Sequence, residues 1–515
     1  MIRLALTLLL AGRGPALQGI SVESEPRFAG DRRLLATVSP NGDGVRDRAV
    51  VRFRLTREAT VRLDVVRTDT LRPGRPQKTV YSVRRRFEAG ARTLIWRPAR
   101  GTEPRTYLLK LTVGRRSYTN EPGKRPRAPV VRVLGVEAGF PERSYAPGER
   151  ADLRIATDAR ELRLQVFHYT SQVSPREQDF KVAGTPMTPA IRVDWRAHRH
   201  RPAQLRFVRA GEWPSGLYFL RLDSRDGRSG YAPFVVRPRA PRSRVAVVLS
   251  TNTWQAYNFW DANGDGWGDS WYVSGRTRSI DLRRPYLDFG VPFRFRDWDL
   301  EFIAWLNRTG KQVDFLADDD LERFGSAREL AAAYDLLVFP GHAEYVTARA
   351  FDVVERYRDL GGNLMFLAAN NFFWKVERDG QRLTKVRLWR SLGRPEARLV
   401  GVQYVASDYG RRQGPFHVTG TEPWVFAGTG LGAGATFGRY GIEIDARSAA
   451  SPAQTRVLAS IPDLMGPGRS AEMTYYDTPS GAKVFAAGAL NFAASIGEPP
   501  VARLVENLWA RLSRP

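Results

Sequence analysis

The chain has 515 residues, is 43% hydrophobic and 26% charged, and carries a formal net charge of +26. That length exceeds one ordinary core and predicts about three globular domains. It holds no cysteine, which excludes disulfides, zinc–thiolate sites, iron–sulfur clusters and a cysteine nucleophile. The basic residues are mostly Arg and are spread through every segment, with only short runs such as Arg84-Arg85-Arg86. Such a spread argues against nucleic acid and for general attraction to anionic polymers, such as those of a cell wall.

Residues 1–19 open with Met-Ile-Arg and an apolar run from Leu4 to Ala11. A basic start and a short apolar stretch predict an export signal, and the run is too short to span a bilayer. The expected location is therefore secreted or cell-surface, with no transmembrane segment.

Residues 20–125 alternate apolar and polar side chains at period two, as in Ala49-Val-Val-Arg-Phe-Arg-Leu and Thr106-Tyr-Leu-Leu-Lys-Leu-Thr-Val. Short strands with this spacing of turns predict a β-sandwich. The loop Ser39-Pro-Asn-Gly-Asp-Gly-Val-Arg-Asp47 resembles the entry loop of FlgD-type Ig-like modules. A Pro-rich linker at 121–129 leads to a second all-β stretch over 130–239. Its Ser215-Gly-Leu-Tyr-Phe-Leu-Arg-Leu echoes Arg105-Thr-Tyr-Leu-Leu-Lys-Leu of the first module, a weak internal repeat.

From 243 to 515 the pattern changes. Arg244-Val-Ala-Val-Val-Leu is a continuous apolar run, as a parallel strand buried on both faces requires. Helical periodicity over 299–307, 326–333 and 347–359 alternates with strands at 312–316, 336–340 and 363–367. Ser326 with Glu329 forms a capping-box pattern, and Gly361-Gly362 stops the last of these helices. This alternation predicts an α/β domain with a mostly parallel sheet, flavodoxin- or glutamine-amidotransferase-like. The amidotransferase chemistry itself needs the missing cysteine. No Gly-rich phosphate loop follows the first strand, which argues against a nucleotide. Residues 375–450 read as an inserted β-rich segment, and 501–512 as a closing helix.

Ligands of open α/β sheets bind beyond the carboxyl ends of the strands. Tyr257, Tyr286, His342, Glu344 and Asn370 all follow predicted strand ends. A carboxylate is a hard ligand, and His either binds metal or supports it. The plain alternatives are a Glu that caps the next helix and tyrosines that simply pack. A second candidate is Asp261-Ala-Asn263-Gly-Asp265-Gly-Trp-Gly-Asp269, which opens like a calcium loop. Position twelve is Tyr272 instead of Glu, so an Asx-rich turn competes with calcium there. The loop at Asn41-Gly-Asp43-Gly shares this ambiguity.

As a block, the C-terminal motifs resemble the C-terminal domain of the N,N-dimethylformamidase large-subunit family. They are Thr251-Asn-Thr-Trp-Gln-Ala-Tyr257, Arg284-Pro-Tyr286, Gly341-His-Ala-Glu-Tyr345, Asn370-Asn-Phe-Phe-Trp374, Trp424-Val-Phe-Ala-Gly and Glu472-Met-Thr-Tyr-Tyr-Asp477. The resemblance spans over half of the chain. It implies a mononuclear ferric ion held by Tyr257, Tyr286 and Glu344, with His342, Asn370 and Glu472 handling substrate and protons. It also implies hydrolysis of a C–N amide bond, on a small amide or a wall-derived substrate. That family pairs its large subunit with a small one, so a partner subunit or a homo-oligomer is expected. Here the N-terminal region differs, with two Ig-like modules in its place, which puts the formamide substrate and the subunit pairing in question. The competing reading is a non-catalytic surface adhesion or glycan-binding protein on the same fold. A third, a polysaccharide hydrolase, would need a carboxylate pair, for which Glu344 and Glu472 are the candidates.

Overall fold

The computed structural model describes residues 14–68, 78–169, 184–272 and 277–514. Within them the chain is multidomain and strongly β-rich, with several separate sheets. In Ala49–Leu55 the residues Ala49, Val51, Phe53 and Leu55 are buried while Arg52 and Arg54 are exposed, so one face of the strand turns inward. This strand lies between Leu17–Glu23 and Gly90–Trp96 in a three-stranded antiparallel sheet. A six-stranded sheet built on Ala59–Arg67 and Thr106–Val113 faces it across one apolar core. Val130–Val133 completes that second sheet, parallel to Leu35–Val38. The Pro-rich 121–129 stretch therefore returns the chain to the first unit before the second begins. Residues 1–13 of the expected export signal lie outside the described residues, and Leu17 is already paired with Leu55.

The second unit also has two sheets around one core, Glu137–Gly139, Arg150–Ala156 and Ala203–Arg209 against the set led by Glu161–Tyr169 and Gly216–Ser224. Gly216–Ser224 is buried along nearly its whole length, and the reason is a second neighbour. Tyr169, Leu217, Phe219, Tyr231 and Val235 share a core with Val247, Leu249 and Leu306 of the third unit. Arg143 Nε reaches Asp319 Oδ2 at 2.9 Å and Ser144 Oγ donates to Asp320 Oδ1 at 2.6 Å across the same joint. The second unit is thus fused to the third by apolar and charged contacts.

The third unit is organised by a nine-stranded sheet. Asp314–Ala317, Val245–Leu249, Leu336–Phe339, Asn363–Phe366 and Lys483–Ala486 run parallel. Ala471–Asp477, Arg456–Ile461, Gln413–Val418 and Thr436–Gly441 extend it as antiparallel strands. The sheet is therefore mixed, where the sequence alone suggests a mostly parallel one. Most residues of the expected 375–450 insert lie outside it, yet two of its strands join the main sheet, because short connections between neighbours favour antiparallel pairing. Alternate side chains of each parallel strand enter two cores. Val247 and Val338 meet the helices Glu301–Arg308 and Pro499–Leu512, while Val248 and Leu337 meet Ala327–Ala333 and Ala348–Asp359. Ser326 and Thr347 cap the last two helices, each accepting a backbone N–H through its hydroxyl. A four-stranded sheet, Ser279–Asp281, Arg382–Leu388, Trp374–Asp379 and Tyr345–Thr347, covers the carboxyl ends of the parallel strands. Among the described residues no helix is long and apolar enough to cross a membrane.

Candidate active site

Three parallel strands end beneath that small sheet, and each delivers one side of a buried polar cluster. After Val245–Leu249 the chain turns into the helix Thr251–Ala256, whose last turn presents Tyr257. After Leu336–Phe339 come His342 and Glu344, and after Asn363–Phe366 comes Asn370. The Glu344 N–H donates to Thr253 Oγ1 at 3.2 Å. The Phe373 and Trp374 N–H groups donate to the Glu344 carbonyl at 3.1 and 2.9 Å. These bonds tie the three strand-end loops together. Asn370 sits in the left-handed region at φ 57°, a conformation Asn tolerates better than most residues. Its N–H donates to both carboxylate oxygens of buried Asp445, at 2.9 and 2.8 Å.

The Tyr257 hydroxyl donates to Glu344 Oε2 in a very short hydrogen bond. His342 Nε2 stands 3.7 Å from an oxygen of Glu344 and 3.7 Å from one of Glu443. Asn370 Nδ2 donates to Glu443 Oε2 at 2.7 Å. The ring of Tyr272 packs 4.9 Å from that of Tyr257. All six side chains are buried. Several of their polar atoms have no hydrogen-bond partner among the described residues: the Tyr272 hydroxyl, both His342 ring nitrogens and Asn370 Oδ1. The Asn370 backbone approaches the imidazole without a hydrogen bond of regular geometry. Buried polar atoms left open in this way mark a place for a ligand, ion or water.

The electrostatics agree. Burial lowers the His342 pKa to about 3, so the ring is neutral. Burial, then the neighbouring Glu443, raises the Glu344 carboxyl well above its usual range, and burial raises Glu443 too. Burial, then Glu344 and Glu443, holds the Tyr257 phenol protonated. Burial outweighs the nearby Lys385 and Arg294 charges, so the carboxyl groups and phenols resist ionisation. A bound cation would reverse the upward shifts of the carboxyl groups and the phenol and keep His342 neutral.

The structure does not bring two of the expected site residues here. The half-buried ring of Tyr286 packs against the core shared with the second unit, and its side chain is hydrogen-bonded to Gln255. Its loop is pinned there because Gly290, at φ 93°, lies against the Tyr231 backbone. Glu472 lies on an antiparallel strand, where Oε2 accepts the N–H and the Nε of Arg447 at 2.8 and 3.2 Å. Tyr272 and Glu443 stand by the cluster instead. Neither follows a parallel strand, so the strand-end rule misses them. The only sequence signal for Tyr272 is its place at the end of the Asp261–Asp269 loop.

In that loop the acidic and amide side chains bond to backbone N–H groups. Asp261 accepts the N–H groups of Gly264 and Gly266 at 2.6 and 2.9 Å, Asn263 accepts Asp265 N–H, and Asp265 accepts those of Trp267 and Gly123. Asp269 accepts Ala262 N–H at 2.8 Å. The Asn41 and Asp43 side chains bond to their own loop in the same manner. Among the described residues no group of three or more His, Cys, Asp or Glu side chains is arranged to hold a metal. An ion in the cluster would therefore draw on the phenols.

One buried carboxyl below the cluster sets a stability prediction. Asp299 accepts a hydrogen bond from Trp254 Nε1 at 3.1 Å, and its other oxygen has no partner. Burial raises its pKa to about 7. The unfolded chain loses this proton near 4 and the folded chain near 7, so folding stability falls as pH rises between them. Asp299→Asn is expected to remove that slope. In urea titrations it should be more stable than the parent at pH 8 by on the order of 1–3 kcal/mol, with the gap closing by pH 4.

Comparison with known proteins supplies the decisive observation. Residues 169–503 match a family model described as N,N-dimethylformamidase beta subunit-like, C-terminal. The chain belongs to this family. Its match covers well over half of the chain and begins inside the second unit, whose strands share the third unit's core. The N,N-dimethylformamidase beta subunit of an Alcaligenes species is 31% identical over 173 residues, 33% of this chain and 22% of that protein. The subunit of the same name from Paracoccus aminophilus is 30% identical over 173 residues, with the same shares. The aligned segment thus spans about a fifth of the length of these curated relatives. Among solved structures, the adhesin InvE of Yersinia pseudotuberculosis is 13% identical, with 43% of this chain and 60% of that one covered and a TM-score of 0.15. The human OSCAR ligand-binding domain reaches a TM-score of 0.17 at 13% identity over 42% of this chain and 97% of that one. Scores this low carry no argument.

Proposed function

We propose that this chain is a metal-assisted hydrolase of C–N amide bonds in small molecules, with its site at Tyr257, Tyr272, Glu344, His342, Asn370 and Glu443. The observation that carries the reading is the buried set of oxygen donors with open valences, in a member of the dimethylformamidase family. The Tyr257 hydroxyl meets a Glu344 carboxyl oxygen, as two donors of a single cation would in its absence. Tyr272 offers the second phenol in place of Tyr286. Phenolate and carboxylate oxygens suit ferric iron. Bound there, such an ion would polarise the amide carbonyl and acidify water.

The protein's own groups then divide the work. Asn370 is held by Asp445 so that its side chain faces Glu443, and it can turn its amide N–H toward the oxygen that becomes negative. Glu443 accepts a proton from the attacking water and returns it to the departing nitrogen. Neutral His342 holds the water between the two carboxyl groups. Burial excludes other water from the cluster.

Glu443→Gln is expected to lower kcat/KM by at least about 100-fold, the usual scale of general acid–base catalysis. Glu472→Gln is expected to change it by less than about threefold, since Glu472 pairs with Arg447. Release of amine from N-methylformamide and related formamides by the full chain, supplied with ferric ion, measures both. No hydrolysis of any small amide by iron-loaded, folded protein overturns the reading.

The reading extends to the N-terminal half. Two units that each pack two sheets on one core are what the Ig-like reading of residues 20–239 expects. An export signal in residues 1–19 would place the protein outside the cytoplasm, where its positive charge would favour anionic wall polymers. The relatives are named as beta subunits, which supports a partner subunit here. The family match gives no support to the non-catalytic surface-binding alternative.

A further inference from the structure

Among the described residues, the Lys385 ammonium overlooks the candidate site without a counter-charge in contact. Lys385 lies on Arg382–Leu388, directly opposite Val376 of Trp374–Asp379. Side chains opposite each other in an antiparallel pair share a face. On this face Val376 and Leu383 are buried in the same core cluster as Tyr257, Tyr272 and Tyr345, with Trp374 packed against it. Lys385 therefore points toward the site. Its Nζ sits 4.7 Å from the Trp374 ring and 5.5 Å from the Trp271 ring. The Trp271 ring lies in turn 4.8 Å from that of Tyr345, tilted against it, and Tyr345 is hydrogen-bonded to Glu344.

Two indoles hold the ammonium in place by cation–π attraction, yet among the described residues it makes no hydrogen bond or ion pair. The nearest acidic influence on it is Glu344, whose carboxyl oxygen is engaged by Tyr257. Partial burial already strips water from Lys385 and lowers its pKa. A half-buried, positioned, unpaired ammonium binds an anion more strongly than one in free solvent. The other rings near the two glutamates, Tyr404 and Tyr409, are uncharged phenols.

We propose that Lys385 is a specificity-determining residue and that the amide turned over here carries a carboxylate, held by Lys385 between Trp271 and Trp374. The proposal rests on the amide-hydrolase reading above and names its substrate class: small N-acyl amino acids and related anionic amides.

The test compares the full-length parent with Lys385→Met and Lys385→Arg, each checked for an unchanged thermal melt. N-Formylglycinate and N-methylformamide are matched substrates that differ in the carboxylate. The ratio of their kcat/KM values is expected to favour N-formylglycinate in the parent. In Lys385→Met it should fall roughly 10- to 100-fold, chiefly through KM, and Lys385→Arg should recover part of it. Calorimetric binding of N-acetylglycinate is the readout that does not require turnover, and it should weaken in the same order. If the parent hydrolyses neither amide but binds N-acetylglycinate in a Lys385-dependent way, anion recognition stands and the hydrolase reading falls. If N-methylformamide is hydrolysed and the ratio is the same in parent and Lys385→Met, the inference is overturned with the hydrolase reading intact. An equal loss on both substrates also overturns it, since Lys385 would then serve the charge of Glu344.

Discussion

Tyr257→Phe is expected to empty the site of iron while leaving the fold intact. The phenol ring packs edge-on against Tyr272, Phe293, Trp298 and His342, and Phe keeps all of those contacts. What it loses is the phenol oxygen that donates to Glu344. Losing that hydrogen bond costs on the order of 1–3 kcal/mol, well short of unfolding a multidomain chain. Losing a ligand should cost more than losing a supporting residue, which typically lowers metal affinity or activity about 10–100-fold. Purified Tyr257→Phe should therefore hold less than about a tenth of the parent's iron after dialysis, lose the phenolate-to-iron absorption band and drop in amide turnover by at least ~100-fold. Tyr272→Phe should behave the same way. Tyr286→Phe should keep both iron and band, because Tyr286 stands in the core shared with the second unit. Retention of the band in Tyr257→Phe, or its loss in Tyr286→Phe, would return the ligand set to the pair of tyrosines that motif order alone suggests.

Gly488→Ala is expected to be the most damaging single methyl group in the site's support. Gly488 follows the parallel strand Lys483–Ala486 and has φ 68°. An added Cβ would lie 2.0 Å from the Glu472 carbonyl oxygen and 2.7 Å from its carbon. Both atoms are backbone of the neighbouring strand, so nothing flexible can move aside. The Gly488 carbonyl also accepts Asp445 N–H at 3.0 Å, and the Glu443 carbonyl accepts Leu490 N–H at 3.1 Å. The strain therefore passes directly to the strand that carries Glu443 and the support of Asn370. Loss of about 3 kcal/mol or more in urea unfolding is expected, with activity falling further than stability explains. A variant with parental stability and activity would show that this strand crossing is looser than its geometry implies.

The candidate site was legible in the sequence where its residues follow parallel strands. The apolar runs at 245–249, 336–339 and 363–366 mark strands buried on both faces, and whatever follows such strands gathers at one sheet edge. Tyr257, His342, Glu344 and Asn370 were found by that rule and do gather. Tyr286 follows no strand of the sheet. It ends a loop held by Arg284, whose guanidinium donates to the Asp269 carbonyl at 3.0 Å, and nothing local says which way its ring turns. Glu443 was invisible for a different reason. It belongs to the short pair Gln403–Ser407 and Glu443–Ala446, which crosses to the site from the irregular stretch where periodicity fails.

By itself the sequence determined the β-rich N-terminal half, the alternating strands and helices after 243, the cap at Ser326, and the family resemblance. All of these are local patterns of period, turn chemistry and motif order. Only the tertiary structure decided that the long sheet is half antiparallel, that Val130–Val133 belongs to the first unit, and that the second unit shares a core with the third. It also decided which tyrosine and which glutamate stand beside Tyr257 and Glu344, and that Lys385 overlooks them. Pairing direction, shared cores and the meeting of distant loops depend on contacts between residues far apart in the chain. Spacing along the chain carries no record of those contacts.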